Sequence, residues 1–275
     1  MSKMKRNERI GAIVKILCDR PNRVYTLNHF TDLFNAAKST ISEDLVIVKK
    51  FMEQLELGKV ETIAGAAGGV KYIPHVSKER KTALVEELCK VISDPKRIIP
   101  GGFLYIADLL YNPAYVKDVG EIFAESYSEQ HIDCVMTVET KGIPLAMMTA
   151  SHLNVPLVIA RHENKVTEGS TLSINYVSGS TGKVQTMYVA KKAIAPKSNV
   201  LIVDDFMRAG GTAKGMADLV GELDSHVVGI AVLIETEAPV EKMVDGHTSI
   251  LILDEASKDK INVYPNPRLK EMINF

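Results

Sequence analysis

Apolar residues recur at helical spacing through the first quarter of the chain and in short blocks separated by helices thereafter, and this change of rhythm marks two domains. Ile10, Ile13, Val14 and Leu17 form one stripe from Asn7 onward, predicting a helix that Pro21 and Asn22 stop. YTLNHFTDLFN predicts a short second helix capped by Thr26, with Phe30, Leu33 and Phe34 facing inward. Ile41, Leu45, Val48, Met52 and Leu55 then repeat at spacings of four, three, four and three, so a third helix buries that seam. Two short β-type runs follow, KVETIA and GVKYIP, joined by GAAGG.

Three helices followed by a hairpin is the order of a winged helix-turn-helix, predicted here over residues 1–74, in which the third helix enters the major groove. Lys38, Ser39, Thr40 and Ser42 crowd the start of that helix outside its stripe, where short polar side chains and a lysine reach base edges. Lys49, Lys50 and the hairpin's Lys59 and Lys71 are placed to neutralise phosphates. Charge agrees with this reading. The chain carries −1 overall, yet residues 1–75 hold 12 Lys and Arg against 8 Asp and Glu, and the remainder holds 21 against 26. A basic head on an acidic body points to a polyanion as the head's partner.

After the linker Pro74–Ser77, Ser77 caps a helix in which Leu84, Leu88 and Val91 recur, a stripe that either covers the body or meets a second subunit. Strands IDCVMTV, VPLVIAR, NVLIV, VVGIAVLIE and SILIL then alternate with helices YVKDVGEIFAESYSEQ, IPLAMMTASHL and TAKGMADLVGEL. Continuous apolar strands between helices predict an α/β body over residues 77–275, a mostly parallel sheet covered on both faces, with ligands beyond the carboxyl ends of the strands. The polar insertion HENKVTEGSTLSINYVSGSTGKVQTMYVAKK holds two alternating runs, SINYV and VQTMYV, and predicts a projecting β-ribbon that forms a hood.

With 275 residues, 46% hydrophobic and 24% charged, the composition is that of a soluble globular chain. No apolar run approaches the roughly 20 residues that span a bilayer. The N-terminus lacks an uninterrupted apolar core or a small-residue cleavage site, so the expected location is the cytoplasm, with no membrane partner. Cys18, Cys89 and Cys134 lie far apart and are read as thiols in a reducing compartment. His29, His131 and His152 are read as core or surface histidines, and no metal site is expected on the protein.

The chemistry concentrates in VDDFMRAGGT, Val203 to Thr212. Backbone amides from Arg208 to Thr212, Ala209 included, converge just before a helix and make an anion site suited to a phosphate monoester. Gly210 and Gly211 permit close approach, and the Thr212 hydroxyl adds a donor. Asp204 and Asp205 beside them accept hydrogen bonds from vicinal hydroxyls, so phosphate and diol together describe a ribose 5-phosphate group. Neither GxxxxGK[ST] nor GxGxxG is present.

Four apolar residues, two acids and a Gly-Gly-Thr loop resemble the phosphoribosyl-pyrophosphate signature of type I phosphoribosyltransferases, and VETKGIPLA resembles that family's pyrophosphate loop. The resemblance covers most of residues 77–275. It implies that Thr140, Lys141 and Gly142 meet pyrophosphate, that Arg161 and Lys165 at the base of the hood add charge, and that Mg2+ travels on the ligand's own oxygens. Phe206 and Phe103 are further lining candidates, for the effector or for purine nucleotides such as ppGpp competing there. With a winged helix in front, the whole chain is similar to the purine operon repressors of Gram-positive bacteria. That family binds operator DNA as a homodimer and uses phosphoribosyl pyrophosphate as an inducer. Arg208 stands where many transferases carry a loop acid, followed by Ala209 for the usual threonine, and Asn175 stands where adenine-type members carry a hood glutamate. Neither side chain serves as a general base near neutral pH. No catalytic residue and no catalytic cofactor are therefore expected; the competing expectation is an active adenine or xanthine phosphoribosyltransferase with a regulatory head, using Glu163 or Glu168.

Overall fold

The computed structural model describes residues 4–65, 68–101, 103–179, 182–257 and 260–269. Ala66 and Ala67 of the wing tip, and Ser180 and Thr181 of the hood turn, lie outside the described residues. The chain divides into two compact units, the first comprising Met1–Ser77 with Ser151–Asn154 and the second Lys78–Ala150 with Val155–Phe275.

The first unit runs α1 (Arg6–Asp19), α2 (Leu27–Phe34), α3 (Lys38–Gln54), then the antiparallel pair β1 (Lys59–Ile63) and β2 (Gly69–Ile73). Tyr25 adds a third edge, exchanging two 2.8 Å backbone hydrogen bonds with Val70. Gly69 makes this approach possible, since a Cβ there would lie 2.1 Å from the Tyr25 carbonyl oxygen. Ile13, Leu17, Phe30, Phe34, Ile41, Leu45, Val48 and Met52 fill the core with Val60, Val70 and Tyr72. Two seam residues depart from expectation. Leu33 is exposed, because Phe30 and Phe34 already occupy the inner face of an eight-residue helix, and Leu55 is exposed because α3 ends before it. Asp44, wholly buried on α3, accepts from Arg9 at 2.7 Å and Arg6 at 3.2 Å, both on α1.

The second unit opens with α4 (Lys78–Ile92), whose buried Leu84, Val85, Leu88 and Ile92 cover the body, settling the alternative left by the sequence; Val91 is only half-buried. A small hairpin, β3 (Ile98–Ile99) and β4 (Phe103–Leu104), leads through α5 (Ala107–Leu110) and α6 (Pro113–Ser126) to β5 (Cys134–Val138). Then come α7 (Ile143–Leu153), β6 (Leu157–Ala160), the ribbon β7 (Thr171–Val177) and β8 (Val184–Ala190), β9 (Asn199–Met207), α8 (Gly211–Glu222), β10 (His226–Thr236), β11 (His247–Ser257) and β12 (Lys260–Pro265). The central sheet has the order β12-β11-β10-β9-β5-β6 and is parallel except at β12. β12 is an antiparallel edge strand absent from the sequence reading, although Ile261 and Val263 alternate inward along it. Among the described residues, no helix is long and apolar enough to cross a membrane.

The ribbon does not simply project. Tyr176, Met187 and Val189 are buried in the same core as Ala213 and Met216 of α8. A Cβ on Gly215 would sit 2.9 Å from Tyr176 Cβ, so that glycine lets β7 lie flat on the helix.

Candidate functional site

β9 positions the two acids. The strand runs on past the apolar block, pairing Asp204 with Val232 and Phe206 with Ile234 of β10, so both carboxylates belong to the strand rather than to the loop after it. Asp204 is buried, Asp205 half-buried, and the Asp205 amide donates to Asp204 Oδ1 at 2.9 Å. Burial pushes both carboxyls above the ordinary carboxylate range, Asp204 well above it with the Asp205 charge adding. For Asp205 the hydrogen bond with Asp204 and the Lys141 ammonium oppose that rise.

The chain then turns through Arg208–Gly210 into α8. Gly210 has φ +82 at the N-cap, a conformation that favours glycine. Gly211 is tighter still: a Cβ there would lie 1.9 Å from the Val177 carbonyl oxygen of β7. Together these elements enclose a cleft of about 250 Å³. Asp204, Asp205, Phe206, Arg208, Gly210, Gly211 and Thr212 all line it. Ala209 sits between lining residues with its carbonyl turned away, accepting from the Met243 amide at 2.8 Å.

Residues that sequence reasoning missed complete the walls. Glu139 and His162 come from the ends of β5 and β6, and Tyr176, Ser178, Gly179 and Gln185 come from the ribbon. Tyr176 donates to Gln185 Oε1 at 2.8 Å and also hydrogen-bonds with Thr212; burial raises its pKa. For Glu139 and His162 the signal was position beyond parallel strand ends, which identifies them only once strand order is known; the ribbon residues carried no such signal.

Other expected contacts lie outside the lining. Thr140 and Lys141 are exposed on the turn after β5, and the Glu139–Thr140 peptide is cis. Gly142 is buried beneath that turn, where a Cβ would meet Thr137 Oγ1 at 2.5 Å and Asp204 Oδ1 at 3.0 Å. Lys141 nonetheless reaches the site through its charge on Asp205. Arg161 is drawn aside, donating to Glu168 at 2.9 Å and Glu139 at 3.3 Å. Lys165 is exposed, 3.7 Å from Glu163. Phe103 is exposed on the short hairpin rather than in the cleft, because β3–β4 precedes the sheet and contributes no strand end to it.

The acid–base positions follow the same geometry. Asn175 is exposed on the ribbon, where its Oδ1 accepts from Thr186 across the strand pair at 2.8 Å, and it does not line the cleft. The carboxylates that line the cleft are Asp204, Asp205 and Glu139, and Glu139 is held by Arg161 and by the His162 amide at 2.6 Å. Among the described residues, no three His, Cys, Asp or Glu side chains converge as a metal site.

On the first unit, Lys38, Ser39, Ser42, Lys49 and Lys50 are exposed along α3, and Thr40 is half-buried. Val46, 66% exposed, lies among them on the outward face. Lys59 is exposed at the start of β1, whereas Lys71 is engaged with Glu61 across the hairpin at 3.2 Å. Lys71 therefore offers less free charge than its sequence position indicated.

Comparison with known proteins bears on both units. Residues 5–74 match the family model described as the N-terminal domain of the bacterial purine repressor, and residues 106–263 match the phosphoribosyl transferase domain. Over 91% of this chain and 88% of its own length, the purine biosynthesis transcriptional repressor of Bacillus subtilis is 48% identical. The chain belongs to the bacterial purine repressor family. The family also contains a protein named a purine biosynthesis transcriptional activator, from Lactococcus lactis, 43% identical over 91% of this chain and 93% of its own. For the body alone, the adenine phosphoribosyltransferase of Rhodothermus marinus superposes with a TM-score of 0.53 at 30% identity, covering 62% of this chain and 99% of the enzyme. The purine repressor architecture is thus a DNA-binding head joined to a phosphoribosyltransferase fold.

Proposed function

We propose that this member of the family is a repressor of purine biosynthesis and transport genes that binds duplex operator DNA as a homodimer in the cytoplasm. Its body holds phosphoribosyl pyrophosphate as an inducer and does not convert it. One observation carries the reading: the phosphate-type loop and the two acids share a cleft in which no carboxylate stands in either customary acid–base position. The amides ahead of α8 would take the 5-phosphate, Asp204 and Asp205 the ribose hydroxyls, and Lys141 the pyrophosphate. Mg2+ carried on the ligand's own oxygens would screen phosphate charge against Asp204 and Asp205. Purine nucleotides such as ppGpp compete for the cleft, with the Phe206 ring offering a face to the base.

Binding of the inducer weakens DNA affinity by linkage, which requires only that the free and DNA-bound forms differ in affinity for it. An operator-shift titration with the full chain tests this. Phosphoribosyl pyrophosphate should release wild-type protein from purine-operon promoter DNA, while Asp204→Ala should bind the DNA normally and ignore the metabolite. Release of the variant at wild-type concentrations would refute the site. A pyrophosphate-release assay with adenine, xanthine, guanine and hypoxanthine separates this reading from a working transferase, and turnover with any base would refute the absence of chemistry.

A further inference from the structure

The loop between β10 and β11 does more than connect strands. Lys242 Nζ donates to the Arg208 carbonyl at 2.7 Å and to the Thr236 carbonyl at 2.5 Å. Thr236 Oγ1 reaches the same Arg208 oxygen at 3.3 Å, and the Met243 amide donates to the Ala209 carbonyl at 2.8 Å. Two consecutive carbonyls of the Arg208–Gly210 turn are therefore held toward residues 236–243. Both peptides are trans, so each N–H points opposite to its carbonyl. Fixing the Arg208 and Ala209 oxygens on the side of residues 236–243, which act as a strap, aims the amides of Ala209 and Gly210 the other way. Gly179 lies on that other side: its Cβ position would be 3.2 Å from the Ala209 nitrogen, and Gly179 lines the cleft.

We infer that Lys242 is a positioning residue: by pinning the Arg208 carbonyl it keeps the Ala209 amide facing the cleft as a donor for a phosphate group, beside the Gly210 amide that the Met243 contact sets. This inference rests on the phosphate-binding reading above and names the device that maintains it. Without the ammonium, the Arg208 carbonyl keeps only the longer 3.3 Å contact from Thr236 Oγ1, and the Arg208–Ala209 peptide can turn to present a carbonyl dipole where an anion must sit. A preorganised donor bound to a charged group is worth more than one that must first be reoriented. Lys242 carries out this task without lining the cleft. Glu235 beneath it stabilises the charge that burial disfavours.

The test uses inorganic phosphate as the probe and the full chain labelled for amide resonances. In the wild type, phosphate should move the Ala209 and Gly210 amide signals. Lys242→Met should weaken phosphate binding about 10- to 100-fold, the expected loss for one donor to a charged group. That deficit should persist at roughly 1 M salt, where direct attraction between separated charges is screened. Lys242→Arg, which keeps a charged donor, should restore most of the affinity and the wild-type amide positions. Should Lys242→Met fail to fold, Lys242→Gln replaces it, with a several-fold deficit expected. Unchanged phosphate affinity in the variant, a deficit that disappears in high salt, or wild-type amides that ignore phosphate would each overturn the inference. A wild type that binds phosphate while phosphoribosyl pyrophosphate leaves the operator complex intact would sink the proposed inducer and leave the strap standing.

Discussion

Gly211→Ala is a single-methyl perturbation whose outcome follows from distances in the cleft. The added carbon would lie 1.9 Å from the Val177 carbonyl oxygen and 3.3 Å from the Gly179 nitrogen. Bringing the oxygen out to ordinary contact requires a retreat of roughly 1.5 Å. That oxygen is backbone at the end of β7, tied into the ribbon by the pairing of Val177 with Val184 and by the Ser178 amide donating to Lys183 at 2.9 Å, so no side-chain rotation relieves the clash. Such overpacking costs about 1–3 kcal/mol. Alanine also gains up to about 1 kcal/mol of helix propensity, and less at a first helical residue, so the clash wins. For a body of roughly 200 residues the net loss lowers the melting transition by about 2–8 °C. The ribbon must lift from α8, and Tyr176 and Gly179 leave the cleft wall with it. The concentration of phosphoribosyl pyrophosphate that releases operator DNA should rise at least ~10-fold, one such step being about 1.4 kcal/mol. DNA affinity without the metabolite should match the wild type. Differential scanning fluorimetry and the operator-shift titration read the two effects, and an alanine variant with wild-type melting and wild-type release would refute the close packing of ribbon and loop.

The raised carboxyl pKa values give a pH dependence with a definite sign. A folded carboxyl that holds its proton more tightly than the unfolded chain contributes stability at low pH that is lost as pH rises through its raised folded pKa. Asp204→Asn should therefore melt higher than wild type at neutral pH, with the gap closing toward acid pH, and it should gain no stability from the metabolite; a pH-independent gap would count against the buried pair. On the head, Lys50→Ala should weaken operator binding and lower the salt slope by about one, whereas Lys71→Ala, already paired with Glu61, should change it less. Equal slopes for the two variants would contradict this ranking. Val46→Ser should reduce operator affinity several-fold, and replacing thymine by uracil in the operator should weaken the wild type but not the variant, if α3 enters the major groove and its exposed Val46 meets a thymine methyl.

Much of this architecture is legible along the chain. The stripe from Ile41 to Met52 and the apolar block before Asp204 impose their elements because burial at one period excludes the other. Glycine pairs identify turns that no other residue can make, and Gly210 with its positive φ is such a case. What stays hidden depends on order in space. Glu139 and His162 meet Asp204 because β9, β5 and β6 are neighbours in the sheet, and nothing local to VETKG or ARHEN states that adjacency. Lys242 reads as an ordinary surface lysine until the loop carrying it is laid beside Arg208. The docking of the ribbon escaped because its polar outward residues dominate the pattern while Met187 and Val189 supply the inward face. Leu33 and Leu55 show the converse limit, apolar residues in register with a seam that has no room or no helix left for them.

Arg9 and Asp44 bear on how a signal can reach DNA. Stripping one partner from a buried pair strands a charge at a cost of about 3–5 kcal/mol, so α3 cannot slip along α1 without meeting that barrier. The reading helix is in effect welded to its scaffold. In the induction proposed above, the head therefore responds as one piece, and the face that α3 presents stays the same.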